Sequence, residues 1–470
     1  MPKFHVSLRI LIVALLASLF ASFALTQELG RHGKLHVSPN HRFLEYEDGA
    51  PFLYLGDTAW QLFQRLTREE TDLYLKNRAE KGFTVIQAAV LQAGNDLAVP
   101  NAYGDTALVG SDPTRPNEAY FKHVDYVVAK AQELGLFIGM LPTWGGNWQR
   151  YNRKPPYVFD TKNARVYGSY LGKRYKDKPI IWILGGDGGV YLEEEKDIIS
   201  AMAEGLRDGD GGAHLITFHP RGPGQSSDYF HQAAWLDFNM NQSSHGAHDH
   251  DNGLLTEHDY SLKPPKPTVD GEPRYETMPV GFYYKNGSRN DRFDDYDVRQ
   301  AAYWSMLAGA CGHTYGNNSV WQFWTPGREP AFYVNVPWRP SLDHAGAFQM
   351  GYLRRLFESR PYQKLVPDQS IIVDGPGQGG AKVRAAVASD SSFAFFYSPR
   401  GENFTVNRSR IKGPRIREIW FDPRYGAAYD VHTTDNTTFQ TYTPPTSGRG
   451  NDWILILEDV SKKFPLPGIQ

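Results

Sequence analysis

The chain has 470 residues, which at about 100–200 residues per domain means several domains or one large barrel with an appendage. Its 50 basic and 52 acidic side chains leave a formal net charge of −2, so nothing draws it electrostatically toward nucleic acid or an anionic membrane surface. A single cysteine, Cys311, excludes an intrachain disulfide framework and a zinc site built on several thiolates, and 41% hydrophobic against 22% charged residues excludes disorder over most of the length.

Lys3, His5 and Arg9 precede an apolar run at 10–20, and the small residues Ala21, Ser22 and Ala24 follow it. That is the order of a secretory signal peptide, so residues 1–24 are expected to be cleaved and the protein to be periplasmic or extracellular. The run is shorter than the ~20 residues of a membrane helix, and no later stretch is apolar for long enough to leave an integral membrane segment. Residues 52–57 then read as a short buried strand ending in Gly-Asp. Thr67 with Glu70 three residues later marks a capped helix start. Further strands are expected at 83–90, 136–144, 179–187, 214–219, 236–242, 267–272 and 312–321. Helices are expected at 117–134, 167–175, 191–206, 296–310 and 345–357. In the first of these Tyr120, Val124, Val127 and Ala131 share one face and Gly135 stops the helix. Eight alternations of this size predict an α/β fold, a (β/α)8 TIM barrel, over 35–360. Beyond Pro361, strand-like runs at 370–373, 382–387, 393–397, 417–421 and 453–457 are broken by Gly, Pro, Asn and Asp. They predict a small all-β sandwich over 366–460.

In such a barrel the active site lies at the C-terminal ends of the strands. The polar and aromatic residues there are Asp57 with Trp60, Gln87, Trp144, Asp187, His219, Asn239 with Gln242, Glu272, and His313 with Tyr315 and Trp321. A Gly-rich phosphate loop and a Gly-x-Ser-x-Gly elbow are both missing from this set. Aromatics reach 14% of the chain, with 11 Trp and 27 Tyr, which suits stacking on sugar rings. Two carboxylates across an aromatic mouth are what glycosidic hydrolysis requires: one protonates the leaving oxygen, the other attacks carbon or activates water. That chemistry calls for no metal or other cofactor.

Asp187, flanked by Gly185-Gly186 and Gly188-Gly189, is the first candidate; a turn or helix-capping Asp is the competing reading. Glu272, in Asp270-Gly-Glu-Pro-Arg-Tyr-Glu276, is the second, with Asp270 and Glu276 as competitors. Asp57, Trp60, Trp144, His219, Asn239, Gln242, Tyr275, His313, Tyr315 and Trp321 are expected to bind substrate. His245, His248, Asp249, His250 and Asp251 are dense enough to suggest a metal site, but their spacing is not that of a helical His pair and a polar loop explains them equally well.

Gly56-Asp57-Thr58-Ala59-Trp60, Trp182-Ile-Leu-Gly-Gly-Asp187 and Asp270-Gly-Glu-Pro-Arg-Tyr-Glu276 together resemble the apiosidase-like catalytic domain of glycoside hydrolase family 140. Tyr442-Thr-Pro-Pro-Thr-Ser-Gly-Arg-Gly-Asn-Asp-Trp453 resembles a small domain described as the collagen-binding domain of a collagenase. The resemblance spans roughly 35–460. It implies a barrel with Asp187 as acid, Glu272 as partner carboxylate, and action on apiose-containing side chains of pectin. Related retaining barrels carry Asn-Glu where this chain has Gly186-Asp187. The other reading is a non-catalytic carbohydrate- or matrix-binding protein on a glycosidase fold. Paired strand-end carboxylates favour a hydrolase acting on an oligo- or polysaccharide.

Overall fold

The computed structural model describes residues 32–91, 97–285 and 287–468; the expected signal segment, residues 1–24, lies outside the described residues. The barrel strands are β1 (Tyr54–Thr58), β2 (Val85–Leu91), β3 (Phe137–Thr143), β4 (Ile180–Gly185), β5 (Ile216–His219), β6 (Asn239–Gln242), β7 (Thr268–Asp270) and β8 (Gly312–Tyr315). They pair in parallel in the order β5-β4-β3-β2-β1-β8-β7-β6, and the two-residue strand Gly224–Gln225 adds antiparallel to β6. The ring is nearly closed. Between β5 and β6, in place of a ladder, Asp237 N–H donates to Ile216 O (2.9 Å), Ile216 N–H donates to Asp237 Oδ2 (2.7 Å) and Thr217 Oγ1 donates to Phe238 O (2.7 Å).

Every residue of these eight strands is buried, as expected where helices cover one face and packed side chains fill the other. The helices after successive strands are α1 (Arg68–Glu80), α2 (Glu118–Glu133), α3 (Thr161–Tyr175), α4 (Glu193–Asp210), α5 (Ser227–Phe230), α6 (Gly253–Ser261), α7 (Asp295–Leu307) and α8 (Ala345–Glu358). Thr67 and Glu70 form the expected reciprocal cap on α1. Helix α3 starts six residues before its expected position. Asp160 and Asn163 cap each other's backbone there, over a first turn with too few apolar residues to show a period. Strand β8 stops at Tyr315, well short of 321. Asn317 Oδ1 accepts from Ser319 N–H (2.9 Å) and its carbonyl from Val320 N–H (3.1 Å), turning the chain across the barrel mouth. At the other end, a small sheet of Leu35–Val37, Leu44–Tyr46 and Pro51–Phe52 packs Phe52 on Phe137 with ring centroids 5.2 Å apart.

The C-terminal region is all-β. A six-stranded antiparallel sheet runs in the order Leu365–Pro367, Arg384–Ala388, Phe393–Ser398, Trp453–Asp459, Arg415–Asp422, Ala427–Asp435. A three-stranded sheet of Ile372–Asp374, Phe404–Asn407 and Phe439–Tyr442 faces it. Alternation along Phe393–Ser398 divides the labour: Ala394 and Phe396 join the sandwich core with Trp420 and Trp453, whereas Phe393, Phe395 and Tyr397 join the barrel's core. Helix α7 lies at that joint and is buried from Tyr296 to Leu307. Among the described residues no helix is long and apolar enough to cross a membrane.

Candidate active site

The pleat decides which strand-end residues reach the mouth, because successive side chains point to opposite faces. On β8, Thr314 points inward and its hydroxyl meets Gln87 Nε2 at 2.6 Å; His313 and Tyr315 therefore point outward. His313 Nδ1 sits 2.9 Å from Ser305 Oγ on α7, and burial pushes its imidazole down to about 3. Tyr315 Oη donates to Glu276 Oε2 at 2.5 Å. Asp57 likewise turns outward, accepting from Arg78 Nε (2.7 Å) and Tyr74 Oη (2.5 Å) on α1. The Asn239 amide lies 3.2 Å from His231 Nδ1. Asp57, Asn239, His313 and Tyr315 are thus framework residues between barrel and helices, a correction to their expected role in substrate binding.

The remaining expected residues converge. A cavity of about 760 Å³ at the C-terminal mouth is lined by Trp60, Trp144, Asp187, Gln242, Glu272, Tyr275 and Trp321. His219 lies fully buried beneath it. The sequence reading did not single out Gln61, Arg221, Ser244, Phe282, Tyr283, Tyr284 or Phe332, and it raised His245 only as a metal ligand; all of these line the cavity too. The aromatic run Phe282-Tyr283-Tyr284 was the available signal for part of this wall.

Asp187 is delivered by an unusual turn. Gly185, the last residue of β4, and Gly186 and Asp187 after it have φ of 93°, 80° and 56°, three consecutive left-handed residues. Glycine takes that conformation readily, and Asp is one of the few other residues that tolerates it. Gly145 N–H donates to Gly186 O (2.8 Å) and the Trp148 indole N–H to Gly185 O (2.7 Å), so the turn is braced from β3's following loop. A Cβ at Gly188 would run into the Trp148 ring, and one at Gly186 would press on Trp144. The glycines let the turn pack flat against two tryptophans, which leaves the Asp187 side chain open to the cavity.

Glu272 is held from both sides. Its Oε2 is 3.1 Å from His219 Nε2 and its Oε1 is 3.1 Å from His245 Nε2. The Asp187 backbone N–H donates to His219 Nδ1 at 3.2 Å, which ties that imidazole to the turn carrying Asp187. Burial alone would raise the Glu272 carboxyl, but the two imidazoles outweigh it and bring it down to about 2. Asp187 moves the other way. The surrounding protein mass desolvates it, the Glu272 charge adds to that, and its carboxyl rises to about 6 although it meets solvent through the mouth. Two neighbouring carboxyls with opposite displacements mark a proton donor and an anion in one site.

Trp60 and Trp144 stand at 64° with centroids 5.0 Å apart, and Trp60 Nε1 donates to Tyr275 Oη (3.2 Å), which fixes one aromatic wall. The competitors to Glu272 are engaged elsewhere. Glu276 accepts from Tyr315 and from Gly346 N–H (3.3 Å), and burial lifts its carboxyl to about 7. Asp270 accepts from Ser243 Oγ (2.7 Å) and Asn252 Nδ2 (2.9 Å) behind the strand. The His-rich loop disperses: His248 contacts Asp297 and Asp291, Asp249 pairs with Arg400, and Asp251 pairs with Arg384 and Lys382. Among the described residues no group of three or more His, Cys, Asp or Glu side chains is arranged to hold a metal ion.

Residues 38–364 match the family described as "Apiosidase-like, catalytic domain", and residues 366–458 match the "Putative collagen-binding domain of a collagenase". Among solved structures the chain is similar to one described as "Glycoside hydrolase", at 34% identity over 92% of this chain and 98% of that one, with a TM-score of 0.84. It is also similar to a glycoside hydrolase family 5 protein from Bacteroides vulgatus, at 32% identity over 94% and 95% of the two chains, again with a TM-score of 0.84. No curated protein matches it. With the match covering the whole barrel, and relatives above 30% identity along nearly their full length, the chain belongs to the apiosidase-like family and is a glycoside hydrolase.

Proposed function

We propose that this glycoside hydrolase removes a terminal, apiose-type sugar from side chains of pectin, using Asp187 and Glu272 as its two carboxyls. Protonated Asp187 gives its proton to the departing glycosidic oxygen while ionised Glu272 attacks the anomeric carbon. Asp187, now ionised, then draws a proton from the water that releases the sugar, and the configuration is retained. The observation that carries this reading is the split of the pair in one aromatic cavity, Asp187 raised to about 6 and Glu272 lowered to about 2. The apiosidase-like family match supports the sugar, and the signal-like residues 1–24 support export to where such polymers occur. The test is incubation with apiose-bearing pectin fragments, following the first-formed free sugar by NMR. Release of apiose with retained configuration is expected. Hydrolysis of other glycosides with none of these fragments cut would overturn the substrate.

The pH dependence follows from the same pair. The competent state has Asp187 protonated and Glu272 ionised, so kcat/KM is expected to be highest between the two values. It should fall above about pH 6 as Asp187 loses its proton, and below about pH 2 as Glu272 gains one. Replacing His245 by Gln removes one of the groups that hold Glu272 down. The acidic limb of the kcat/KM profile should then move to higher pH while the alkaline limb stays near Asp187.

A further inference from the structure

The loop that brings His245 to Glu272, residues 243–252 between β6 and α6, is held by two regions of the chain. From the barrel, Ser244 N–H donates to Glu272 O (3.1 Å) and Gly281 N–H to His245 O (2.7 Å). From the β-region, Arg400 Nη2 meets Asp249 Oδ2 (2.9 Å), while Lys382 Nζ (2.9 Å) and Arg384 Nη2 (2.7 Å) meet the two oxygens of Asp251. The two regions pack closely there, since a Cβ at Gly380 would overlap the Asp249 carboxylate. A further link runs behind Glu272. Arg274 donates to His248 O and to Gln300 Oε1 (3.1 Å), and Gln300 Nε2 donates to Gly380 O (3.1 Å). The His245 ring packs edge-on against Tyr275 with centroids 4.6 Å apart, and its Nδ1 is buried with no hydrogen-bond partner among the described residues. Its place therefore follows from the backbone. Ser244, just before it, has φ of 72°, a left-handed conformation that a residue other than glycine keeps only where its surroundings over-determine it.

We propose that the β-region completes the active site: Lys382, Arg384 and Arg400 are positioning residues that hold this loop so that His245 stays on Glu272. The inference rests on the role given to Glu272 above. The His245–Glu272 contact is 3.1 Å, and a loop displaced by about 1 Å would break it, because a contact stretched to about 4 Å is no longer a hydrogen bond. Misplacement of that size in an active site costs up to about 10²-fold in rate. Folding stability is not what the Arg400 pair supplies. With side chains 36% and 45% exposed, Arg400 and Asp249 are screened by water and contribute little to it. What the pair does fix is where the loop stands relative to the strand that carries Glu272.

The experiment is the pH profile of kcat/KM on a dinitrophenyl glycoside that the unaltered chain hydrolyses. Departure of that leaving group needs no proton, so the acidic limb reports Glu272. Lys382→Gln/Arg400→Gln releases the loop from the β-region's side and Asp249→Asn from its own, all on partly exposed side chains. Glu272 is faced by His219 from β5, His245 from this loop, Asp187 from the turn after β4 and Tyr275 from its own segment, and none of these is altered. The double variant is expected to lose about tenfold in kcat/KM and to raise the acidic limb by about one pH unit, with its thermal melt unchanged. Asp249→Asn should raise the limb too. That sign discriminates. Acting through space alone, removal of an anion would favour the Glu272 carboxylate and lower the limb, whereas a loosened His245 raises it. In a His245→Gln background both variants should lose their effect, and Lys382→Arg/Arg400→Lys should behave as the unaltered chain. A lowered or unmoved limb for Asp249→Asn, or an equal change with and without His245, would overturn the positioning role. An acidic limb that His245→Gln itself leaves in place would remove the reading of Glu272, and the proposal with it.

Discussion

Glu272→Gln is expected to lower kcat on the order of 10⁴-fold or more, and Asp187→Asn by about 10²–10⁴-fold, with the fold unchanged. A 10⁴-fold loss corresponds to about 5.5 kcal/mol of transition-state stabilisation. The Gln amide has the shape of the carboxyl it replaces and still meets His219 and His245, but it carries no charge to attack or to stabilise a developing cation. Asn at 187 keeps the tolerance for the left-handed backbone that the position demands, since its short polar side chain adopts φ near 56° as Asp does. Steady-state kinetics and thermal melts on the two variants separate loss of chemistry from loss of fold. A near-normal rate for Glu272→Gln, with a crippled Glu276→Gln, would assign the second carboxylate to the wrong residue.

Removing everything after Arg360 is expected to leave the barrel insoluble or rapidly degraded. Helix α7 is apolar on its outer face because the six-stranded sheet covers it: the Tyr303 and Tyr397 rings stack at 5.0 Å, and Trp304 Nε1 donates to Lys382 O at 2.9 Å. Two ion pairs cross the same joint with both partners buried. Arg299 reaches Asp452 through Nε (3.0 Å) and Nη2 (2.7 Å), and Arg360 reaches Glu458 Oε2 through Nε (3.0 Å) and Nη2 (2.8 Å). Truncation strips Arg299 of the Asp452 carboxylate and Arg360 of the Glu458 carboxylate, besides uncovering apolar area. A milder version is Asp452→Ala, which should cost about 3–5 kcal/mol by leaving part of the Arg299 charge unanswered. Thermal unfolding reads both. A soluble, active barrel from the truncation would make the β-region a separable module.

Much of this was legible in the sequence, and the misses share a cause. Strand positions came through because short apolar runs ending in polar residues are what a parallel, doubly covered sheet requires. Asp187 stood out because four glycines around one Asp have few explanations besides a tight turn with close packing. Asp57 and His313 misled because reaching a strand's end does not fix the face; that depends on pleat parity, and a one-residue shift reverses it. The partners that claim Asp57, Tyr74 and Arg78, do stand four apart on one helix face, a clue visible only once the facing helix is known. His245 was hidden for the opposite reason. Its neighbours His248, Asp249 and Asp251 satisfy separate buried or surface cations and carboxylates, so a cluster in sequence is scattered in space while one member reaches Glu272.

The division of labour between Asp187 and Glu272 is most directly tested by varying the leaving group. Kinetics of the two variants on aryl glycosides with good and poor leaving groups, dinitrophenol against an unactivated alcohol, ask whether each residue supplies a proton. A good leaving group departs as an anion and needs none, so Asp187→Asn should regain most of its loss in kcat/KM, which reports formation of the glycosyl-enzyme, on the dinitrophenyl substrate, while Glu272→Gln remains inactive on both. Recovery of Glu272→Gln instead, or equal losses on both substrates for Asp187→Asn, would contradict the assignment of acid and nucleophile.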